Sequence, residues 1–304
     1  MSWAGHGLAG LKILKQLSLL GSEPGPLLIE GPTGSGKEVI INLIEKLEAP
    51  KKIIRINVAA ISPSLFESEF FGHVKGAFTG ADQNKLGLAQ KAHDGILFLD
   101  EVEALPLNLQ VKLLRFLESG EVKPVGSDTS LKVNCKLIFA TNIKLEKLVE
   151  EKVFRDDLLW RISGKKIAIP PLCERKDELK EIFEYYLQKL SKRAYSISDN
   201  ALNLIRNYSW PGNIRELIRV CEKVIIEAPL PVVREEDLLP HLRANNNFSE
   251  STHTNSFSEL LKSFESKLIK DYFLQNNKNI ESTCKALKVS RSNLYKKLKE
   301  YQIN

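Results

Sequence analysis

The chain has 304 residues, of which 43% are hydrophobic and 27% are charged. This balance excludes a disordered chain, a collagen-like chain and a small disulfide-stapled domain, and the length predicts two or three domains. The longest apolar runs are far shorter than the ~20 residues of a membrane helix, and the N-terminus lacks a signal-peptide layout. We therefore expect a cytoplasmic protein without membrane contact, whose four cysteines, lacking CxxC spacing, are buried thiols.

The formal net charge of +6 comes entirely from the C-terminal end of the chain. Residues 261–304 contain ten Lys or Arg and four Asp or Glu, which leaves 34 of each sign in residues 1–260. This asymmetry predicts a basic module that binds a polyanion and is attached to a neutral body. A solvated helix face is the alternative that charge alone leaves open.

Strands and helices alternate in the first half of the chain. Short apolar runs predict strands at residues 26–30, 52–58, 95–99 and 136–140. Helical periodicity predicts helices at residues 37–47 and 107–119. This alternation predicts a parallel sheet with crossover connections. Beyond the paired prolines at 170 and 171 we expect an all-helical subdomain, with helices at residues 176–193, 199–207 and 213–227.

A glycine-rich sequence follows the first predicted strand. Residues 31–37, GPTGSGK, match GxxxxGK between a strand and a helix. Backbone N–H groups of such a loop surround a phosphate, the helix dipole strengthens the attraction, and Lys37 reaches the β- and γ-phosphates. A chance glycine turn is the alternative, which the flanking elements disfavour. The candidate ATP-binding residues of this segment are Gly31, Pro32, Thr33, Gly34, Ser35, Gly36, Lys37 and Glu38.

Two carboxylates follow a buried strand at ILFLDE, residues 96–101. Because Glu38 replaces the Ser or Thr that usually places a hydroxyl on Mg²⁺, metal ligation must come largely from elsewhere. In such sheets ligands bind at the carboxyl ends of strands, so Asp100 is placed to hold Mg²⁺, partly through water, and Glu101 to polarise the attacking water. Asn142 ends the next strand and adds a polar side chain for the nucleotide. An ordinary strand-end acidic pair is the alternative for this segment alone.

Residues 76–81, GAFTGA, resemble the signature loop of bacterial enhancer-binding proteins. These are the NtrC-type AAA+ ATPases that activate sigma-54 RNA polymerase. By composition alone the segment is a mobile, glycine-flanked loop with an exposed Phe78, and a structural turn is the alternative. The resemblance implies that the loop contacts sigma-54 through Gly76, Ala77, Phe78, Thr79, Gly80 and Ala81.

The resemblance extends over nearly the whole chain. The matching segments are the acidic-strand block at residues 98–117, a second surface loop at 118–126, FRDDLLWR at 154–161 and WPGNIRE at 210–216. It implies that Asn57 restrains the catalytic Glu101 and that Arg215 senses the γ-phosphate. It also implies that Arg155 and Arg161 enter the active site of a neighbouring subunit in a ring, a hexamer or heptamer. Without the resemblance, surface ion pairing of these two arginines remains open.

Three features depart from the family pattern. Cys173 stands where the family usually has Arg. The segment that usually surrounds the adenine base is short here. About 30 residues precede the glycine loop, fewer than a receiver domain needs, so we expect control from another chain or a truncated sequence.

The basic C-terminal residues have their own helical pattern. A long helix is predicted at residues 258–275, with an apolar face formed by Leu261, Phe264, Leu268 and Tyr272. Two short helices follow, joined by a turn at 288–290, which predicts a helix-turn-helix. Residues 284–301 also resemble the Fis-type DNA-binding domain of many of these activators. A helical hairpin used only for oligomerisation is the alternative.

The second of these short helices contains the predicted DNA contacts. Its first turn is placed to reach base edges in the major groove, and its lysines are placed to reach phosphates. The predicted base-contacting residues are Arg291, Ser292 and Asn293, and the predicted phosphate-contacting residues are Lys296, Lys297 and Lys299.

Together these features predict an α/β AAA+ P-loop parallel sheet, a helical lid, a flexible linker and an all-α helix-turn-helix DNA-binding domain. The predicted boundaries are residues 1–170, 171–240, 241–257 and 258–304. The predicted function is a sigma-54-dependent activator that uses ATP and Mg²⁺, forms a ring of its own copies, and binds double-stranded DNA and sigma-54 RNA polymerase. Two alternatives remain: a DNA-binding regulator that uses ATP only as an oligomerisation switch, and a helicase loader or similar DNA-bound AAA+ enzyme.

Overall fold

The computed structural model divides the chain into two compact units, residues 1–243 and 244–304, and each is described by itself. The described residues are 8–20, 25–48, 52–227, 231–242, 265, 269, 273, 279–287 and 289–301. Among these residues, every helix is too short or too polar to cross a membrane.

The described elements of both units are short strands and helices, and in the first unit the two kinds alternate. The strands are β1 (Leu27–Glu30), β2 (Ile53–Asn57), β3 (Gly72–His73), β4 (Lys85–Leu86), β5 (Ile96–Asp100), β6 (Glu121–Val122), β7 (Leu131–Lys132), β8 (Lys136–Thr141), β9 (Lys166–Ala168), β10 (Ser196–Ile197) and β11 (Val232–Val233). The α-helices are α1 (Leu8–Leu20), α2 (Lys37–Leu47), α3 (Pro63–Phe71), α4 (Leu88–Lys91), α5 (Leu107–Ser119), α6 (Leu145–Glu150), α7 (Asp156–Ile162), α8 (Leu179–Ser191), α9 (Asp199–Asn207), α10 (Asn213–Glu227), α11 (Glu235–Leu238), α12 (Ile280–Leu287) and α13 (Arg291–Glu300).

A five-stranded parallel sheet, in the order β2-β5-β8-β1-β9, forms the centre of the first unit. The four predicted strands are confirmed as β1, β2, β5 and β8. The fifth strand, β9, was not predicted, because three residues beginning with Lys166 are too few to show a periodicity. The register pairs Asn57 with Asp100 and Glu30 with Thr141, so the carboxyl ends of four strands meet at one edge of the sheet.

Helices cover both faces of the sheet, because alternate residues of each strand point to opposite sides. In β5, Ile96 and Phe98 pack in one core with residues of α1 and α2. Leu97 and Leu99 pack in a second core with residues of α3, α5 and α7. The predicted helices at residues 37–47 and 107–119 are confirmed as α2 and α5. The result is a helix-sheet-helix sandwich whose strand ends lie at the surface.

The lid subdomain packs around Trp210, which is 1% exposed and donates an indole hydrogen bond of 2.8 Å to the Ile205 carbonyl. The three predicted lid helices are confirmed as α8, α9 and α10. The prediction of an all-helical lid is wrong, because β10 and β11 form a two-residue parallel ladder. Such short strands have no detectable sequence pattern. Leu242 is buried in the lid core, two residues beyond the predicted end of the lid.

A buried ion pair joins the lid to the first helix. Arg175 and Glu178 are both almost fully buried, and the Arg175 Nε lies 2.9 Å from the Glu178 Oε2. The other oxygen of the Glu178 carboxylate accepts a hydrogen bond from the Gly10 backbone N–H in α1. A buried charge pair requires such additional hydrogen bonds to offset its desolvation cost, so α1 and the start of the lid are fixed together.

The second unit contains the two predicted short helices, α12 and α13. Leu294 and Leu298, the predicted inward residues of α13, are buried with Cys284, Ile269 and Phe273. The predicted apolar positions Leu261, Phe264, Leu268 and Tyr272 lie outside the described residues, as does most of the predicted linker. The four cysteines are free. Cys221 and Cys284 are buried as predicted, whereas Cys135 and Cys173 are only half-buried.

Candidate functional site

A cavity of about 300 Å³ opens between the carboxyl edge of the sheet and the lid. Its lining residues are Thr33, Gly34, Gly36, Lys37, Glu38, Val39, Asn42, Asp100, Glu101, Tyr186, Lys189, Ile214, Arg215 and Ile218. The cavity therefore brings together predicted residues that are more than 100 positions apart in the sequence. It combines a glycine loop, a lysine, two carboxylates and an arginine, which are the groups that a nucleoside triphosphate site uses.

The glycine loop is held in place by the lid. Gly34 has a φ of 76°, and a Cβ there would lie 2.6 Å from the Gly212 carbonyl oxygen. The Ile214 N–H donates a 2.9 Å hydrogen bond to the Gly34 carbonyl, and the Asn213 side-chain amide donates to the Thr33 carbonyl at 3.0 Å. Only glycine permits both this backbone conformation and this close approach. The lid segment thus positions the loop directly.

Lys37 and Asp100 form the charged centre of the cavity. The Lys37 Nζ donates a 2.6 Å hydrogen bond to the Gly31 carbonyl. Burial lowers the pKa of Lys37, and the Asp100 carboxylate opposes that shift. Burial likewise raises the pKa of Asp100, and the Lys37 ammonium opposes that shift. Each charge therefore supports the other, and an anionic phosphate beside Lys37 would further stabilise the ammonium.

Glu101 is held in an uncommon backbone conformation directly after β5. Its φ of 57° and ψ of 48° are left-handed, which costs a non-glycine residue about 1–3 kcal/mol. The Glu101 N–H donates a 3.0 Å hydrogen bond to the Asp100 carboxylate, and the next residues form a short 3-10 turn. This conformation turns the chain at the strand end, and both carboxylates line the cavity.

Glu103 lies beside the site, outside the cavity lining, and sequence analysis missed it. Its Oε1 accepts a 3.2 Å hydrogen bond from the Asn142 N–H at the end of β8, while its Oε2 is buried and accepts none within the described part of the chain. Its carboxylate also opposes the lowering of the Lys37 pKa. Asn142 thus lies at the predicted sheet edge, although it does not line the cavity.

Asn57 lies beside Asp100 in the sheet register. Its side-chain oxygen accepts a 3.1 Å hydrogen bond from the Ala60 N–H, which closes the turn after β2. The restraint of Glu101 by Asn57 therefore stays a prediction.

Arg155 and Arg161 do not line the nucleotide cavity of their own chain. The Arg155 guanidinium is exposed and bonded to the Asp157 carboxylate at 3.0 and 2.6 Å. Its backbone N–H donates to the buried Gln110 side chain, which fixes the start of α7. Arg161 donates to the Leu117 carbonyl at 3.3 Å and lines a separate cavity at the amino ends of the strands.

Two lid residues in the cavity were also missed by sequence analysis. Tyr186 and Lys189 project from α8, with the Lys189 ammonium 5.6 Å from the centroid of the Tyr186 ring. Tyr186 and Ile218 give the cavity an aromatic and apolar part of its lining, of the kind that accepts a base. Helical periodicity identifies α8, but it does not show which side chains of that helix turn toward the cavity. The sequence therefore contained no signal for Tyr186 and Lys189.

The donor atoms of the cavity fit Mg²⁺. Asp100 and Glu101 supply carboxylate oxygens, and Glu38 also lines the cavity. Within the described residues no three His, Cys, Asp or Glu side chains form a complete metal-binding cluster. Mg²⁺ is usually held by one or two carboxylates together with substrate phosphates and water, so a complete protein cluster is not needed.

The GAFTGA segment forms an exposed loop between β3 and β4. The Gly76 N–H donates to the Ala81 carbonyl at 2.9 Å, which closes the loop at its base, and Phe78 is 43% exposed. A second hairpin consists of β6, β7 and the loop between them. A Cβ on Gly126 in this loop would lie 2.7 Å from the Ala77 Cβ, so the two loops are in close contact. None of the six residues of the segment lines the nucleotide cavity.

The second helix of the C-terminal unit presents most of the predicted DNA contacts to solvent. Arg291 pairs with Glu281 of α12, and Ser292, Asn293 and Lys296 are exposed. Lys297 differs, because it is half-buried and its ammonium lies 2.8 Å from the Glu265 carboxylate. Lys299 lies near the end of α13.

The parallel sheet, the phosphate loop at the start of α2, the acidic end of β5 and the helical lid define an AAA+ P-loop nucleotide-binding protein. The Sigma-54 interaction domain family matches residues 5–168, and the AAA+ ATPase lid domain family matches residues 173–255. The chain therefore belongs to the sigma-54-dependent transcriptional regulators, a family whose AAA+ domain hydrolyses ATP.

Individual relatives agree with this assignment. Regulatory protein AtoC of Escherichia coli (strain K12) is 36% identical over 319 residues, which covers 100% of this chain and 69% of AtoC. The Nif-specific regulatory protein of Klebsiella pneumoniae is 40% identical over 224 residues, which covers 72% of this chain and 43% of that protein. The crystal structure of NtrX from Brucella abortus in complex with ATP matches with a TM-score of 0.72 at 26% identity, over 100% of this chain and 70% of that chain. The chain spans only part of the length of these relatives.

Proposed function

We propose that this chain activates transcription by binding DNA upstream of promoters and hydrolysing ATP as a ring. Hydrolysis would remodel sigma-54 RNA polymerase into the open complex. The observation on which this proposal depends is the separation of two sites within the first unit. The nucleotide cavity lies between the sheet edge and the lid, whereas the exposed Phe78 is in a loop outside it.

Within the cavity, Lys37 and the glycine loop would hold the phosphates of ATP, and Arg215 would sense the γ-phosphate. Mg²⁺, with Asp100 as its protein ligand, would neutralise charge that develops on the phosphates during transfer. The Glu101 carboxylate would accept a proton from the attacking water, with its position fixed by the turn after β5.

A ring is supported by the placement of Arg155 and Arg161 away from their own cavity. Within the described residues the Arg155 guanidinium is bonded to the exposed Asp157 carboxylate, and solvent screens an exposed ion pair of this kind. This pairing can therefore be exchanged at little cost for the phosphates of a nucleotide on a neighbouring copy.

DNA binding is supported by the two helices of the C-terminal unit and by the net charge of +6 in residues 261–304. In this proposal α13 enters the major groove, where Arg291, Ser292 and Asn293 contact base edges. Arg291 would exchange its pairing with Glu281 for a base edge. Lys296 and Lys299 would contact phosphates.

Lys296→Ala and Lys297→Ala are expected to affect DNA binding differently, although the two lysines are adjacent. Loss of Lys296 should reduce the slope of log Kd against log salt concentration by about 0.9, the value of one phosphate contact. Loss of Lys297 should leave the slope unchanged, because its ammonium is bonded to Glu265. Anisotropy titrations of a labelled duplex of arbitrary sequence with the full chain would measure both slopes. Equal reductions would mean that Lys297 also contacts phosphate.

Phe78→Ala is the decisive test of the activator function. It should reduce open-complex formation by sigma-54 polymerase roughly 30-fold or more, as expected for an exposed aromatic residue at the centre of an interface. ATP turnover should stay within about 2-fold of wild type, because the side chain lies outside the cavity. Permanganate footprinting of the promoter and a steady-state ATPase assay would measure the two effects.

Leu190→Ala provides a matched control, since Leu190 is 40% exposed and lies in the lid helix α8. It should leave both activities near wild type. Thr79→Ala, in the same loop as Phe78, should behave like Phe78→Ala. Full activation by Phe78→Ala would contradict the activator proposal and favour a regulator that uses ATP only as an oligomerisation switch.

A further inference from the structure

We propose that His73 is a positioning residue that holds Phe78 against the body of the protein, and that loss of this contact releases the GAFTGA loop toward sigma-54. The role of sigma-54 in this inference rests on the proposed function. The contact between His73 and Phe78 can be tested without sigma-54.

The His73 and Phe78 rings are packed edge to face. Their centroids are 5.0 Å apart and their planes differ by 65°. Phe78 nevertheless remains 43% exposed, so one part of its ring packs on the protein and the rest faces solvent. An aromatic pair of this geometry changes an equilibrium by roughly 2- to 12-fold, enough to favour one loop position without locking it.

His73 is fixed more firmly than the loop that it contacts. It lies in β3 and pairs with Lys85 of β4. Its Nδ1 is 2.7 Å from the hydroxyl oxygen of Ser68, and the two atoms share a hydrogen bond. Ser68 is buried in α3, whose aromatic residues pack in the main core. The His73 ring therefore connects the exposed Phe78 side chain to a well-packed part of the subdomain.

The base of the loop is also fixed, so Phe78 can move without unfolding the segment. Ala81 is 5% exposed, and its N–H donates to the Phe78 carbonyl at 3.0 Å. The Val74 N–H donates to the Val125 carbonyl of the second hairpin at 3.1 Å. Phe78 is the large apolar side chain between these two fixed ends. Rotation of its ring away from His73 would expose the face that His73 now covers.

Limited proteolysis of the full chain tests the contact directly. Chymotrypsin cleaves after accessible phenylalanines, so the rate of cleavage after Phe78, followed by mass spectrometry, reports how often the loop is released. His73→Ala should raise this rate roughly 2- to 12-fold, the factor expected for loss of one aromatic pair. His73→Phe, which retains an aromatic contact but loses the bond to Ser68, should stay closer to wild type.

His93→Ala is the matched control, because His93 is an exposed histidine in the same subdomain that accepts a hydrogen bond from Asn134. Equal melting temperatures of the variants would exclude general unfolding. An unchanged cleavage rate in His73→Ala, or an equal increase in His93→Ala, would overturn the assignment of His73.

Binding of sigma-54 by nucleotide-free protein tests the consequence of release. His73→Ala should bind more tightly than wild type by roughly the same 2- to 12-fold, with ATP turnover unchanged. Faster cleavage after Phe78 together with weaker sigma-54 binding would overturn the proposed consequence. If wild type binds no sigma-54 in any nucleotide state, the proposed function fails, and the cleavage assay still decides the role of His73.

Discussion

Glu101→Gln is expected to leave ATP binding near wild type and to lower ATP turnover by about 10²–10⁴-fold, the usual contribution of a general base. Glutamine has the same shape as glutamate and can adopt the same backbone conformation, so the turn after β5 should persist. It lacks a carboxylate that can accept a proton from water. Binding of a fluorescent ATP analogue and steady-state turnover would separate the two effects.

Glu103→Gln is the matched control for this substitution. Glu103 is two residues away, outside the cavity lining, and its contact with the Asn142 N–H needs only an acceptor oxygen, which glutamine retains. Its turnover should therefore fall much less. Lys37→Ala should instead weaken ATP binding roughly 30-fold or more, because a half-buried positive charge that would pair with the phosphates is lost. Equal turnover in Glu101→Gln and Glu103→Gln would contradict the assignment of Glu101.

The phosphate loop and the acidic end of β5 could be predicted because both depend on local sequence. The glycines of residues 31–36 follow an apolar strand, and Asp100 and Glu101 follow another, so the order of a parallel sheet is sufficient to bring them to one edge. The GAFTGA loop could be named only through its resemblance to a family. Its residue types alone indicate an exposed loop and nothing about its partner.

The lid wall of the cavity could not be predicted, because it depends on how two subdomains pack. Tyr186 and Lys189 line the cavity because the lid is held against the glycine loop by hydrogen bonds from Asn213 and Ile214, the first two residues of α10. Those bonds in turn require the left-handed conformation of Asn213, with a φ of 51°. A conformation of this kind at a non-glycine residue has no reliable sequence signal.

Mixing two inactive variants tests whether active sites are shared between copies. Arg155→Ala and Arg161→Ala should each lower ATP turnover by about 10³-fold or more if each arginine stabilises the phosphates of a neighbouring nucleotide. Neither side chain lines its own cavity, so the loss would have no explanation within a single chain. Sedimentation of each variant with ATP should show that assembly persists.

The informative mixture combines Arg155→Ala, which retains Glu101, with Glu101→Gln, which retains Arg155. In a ring, an interface formed by Glu101 of the first variant and Arg155 of the second is complete. At equal amounts about a quarter of the interfaces should be of this kind, so turnover should rise toward that fraction of wild type. Replacing the Glu101→Gln chain by the Arg155→Ala/Glu101→Gln double variant removes the complete interfaces and should abolish the rescue. If the first mixture shows no rescue although mixed rings form, Arg155 does not act on a neighbouring nucleotide, and its bond to Asp157 would be its principal role.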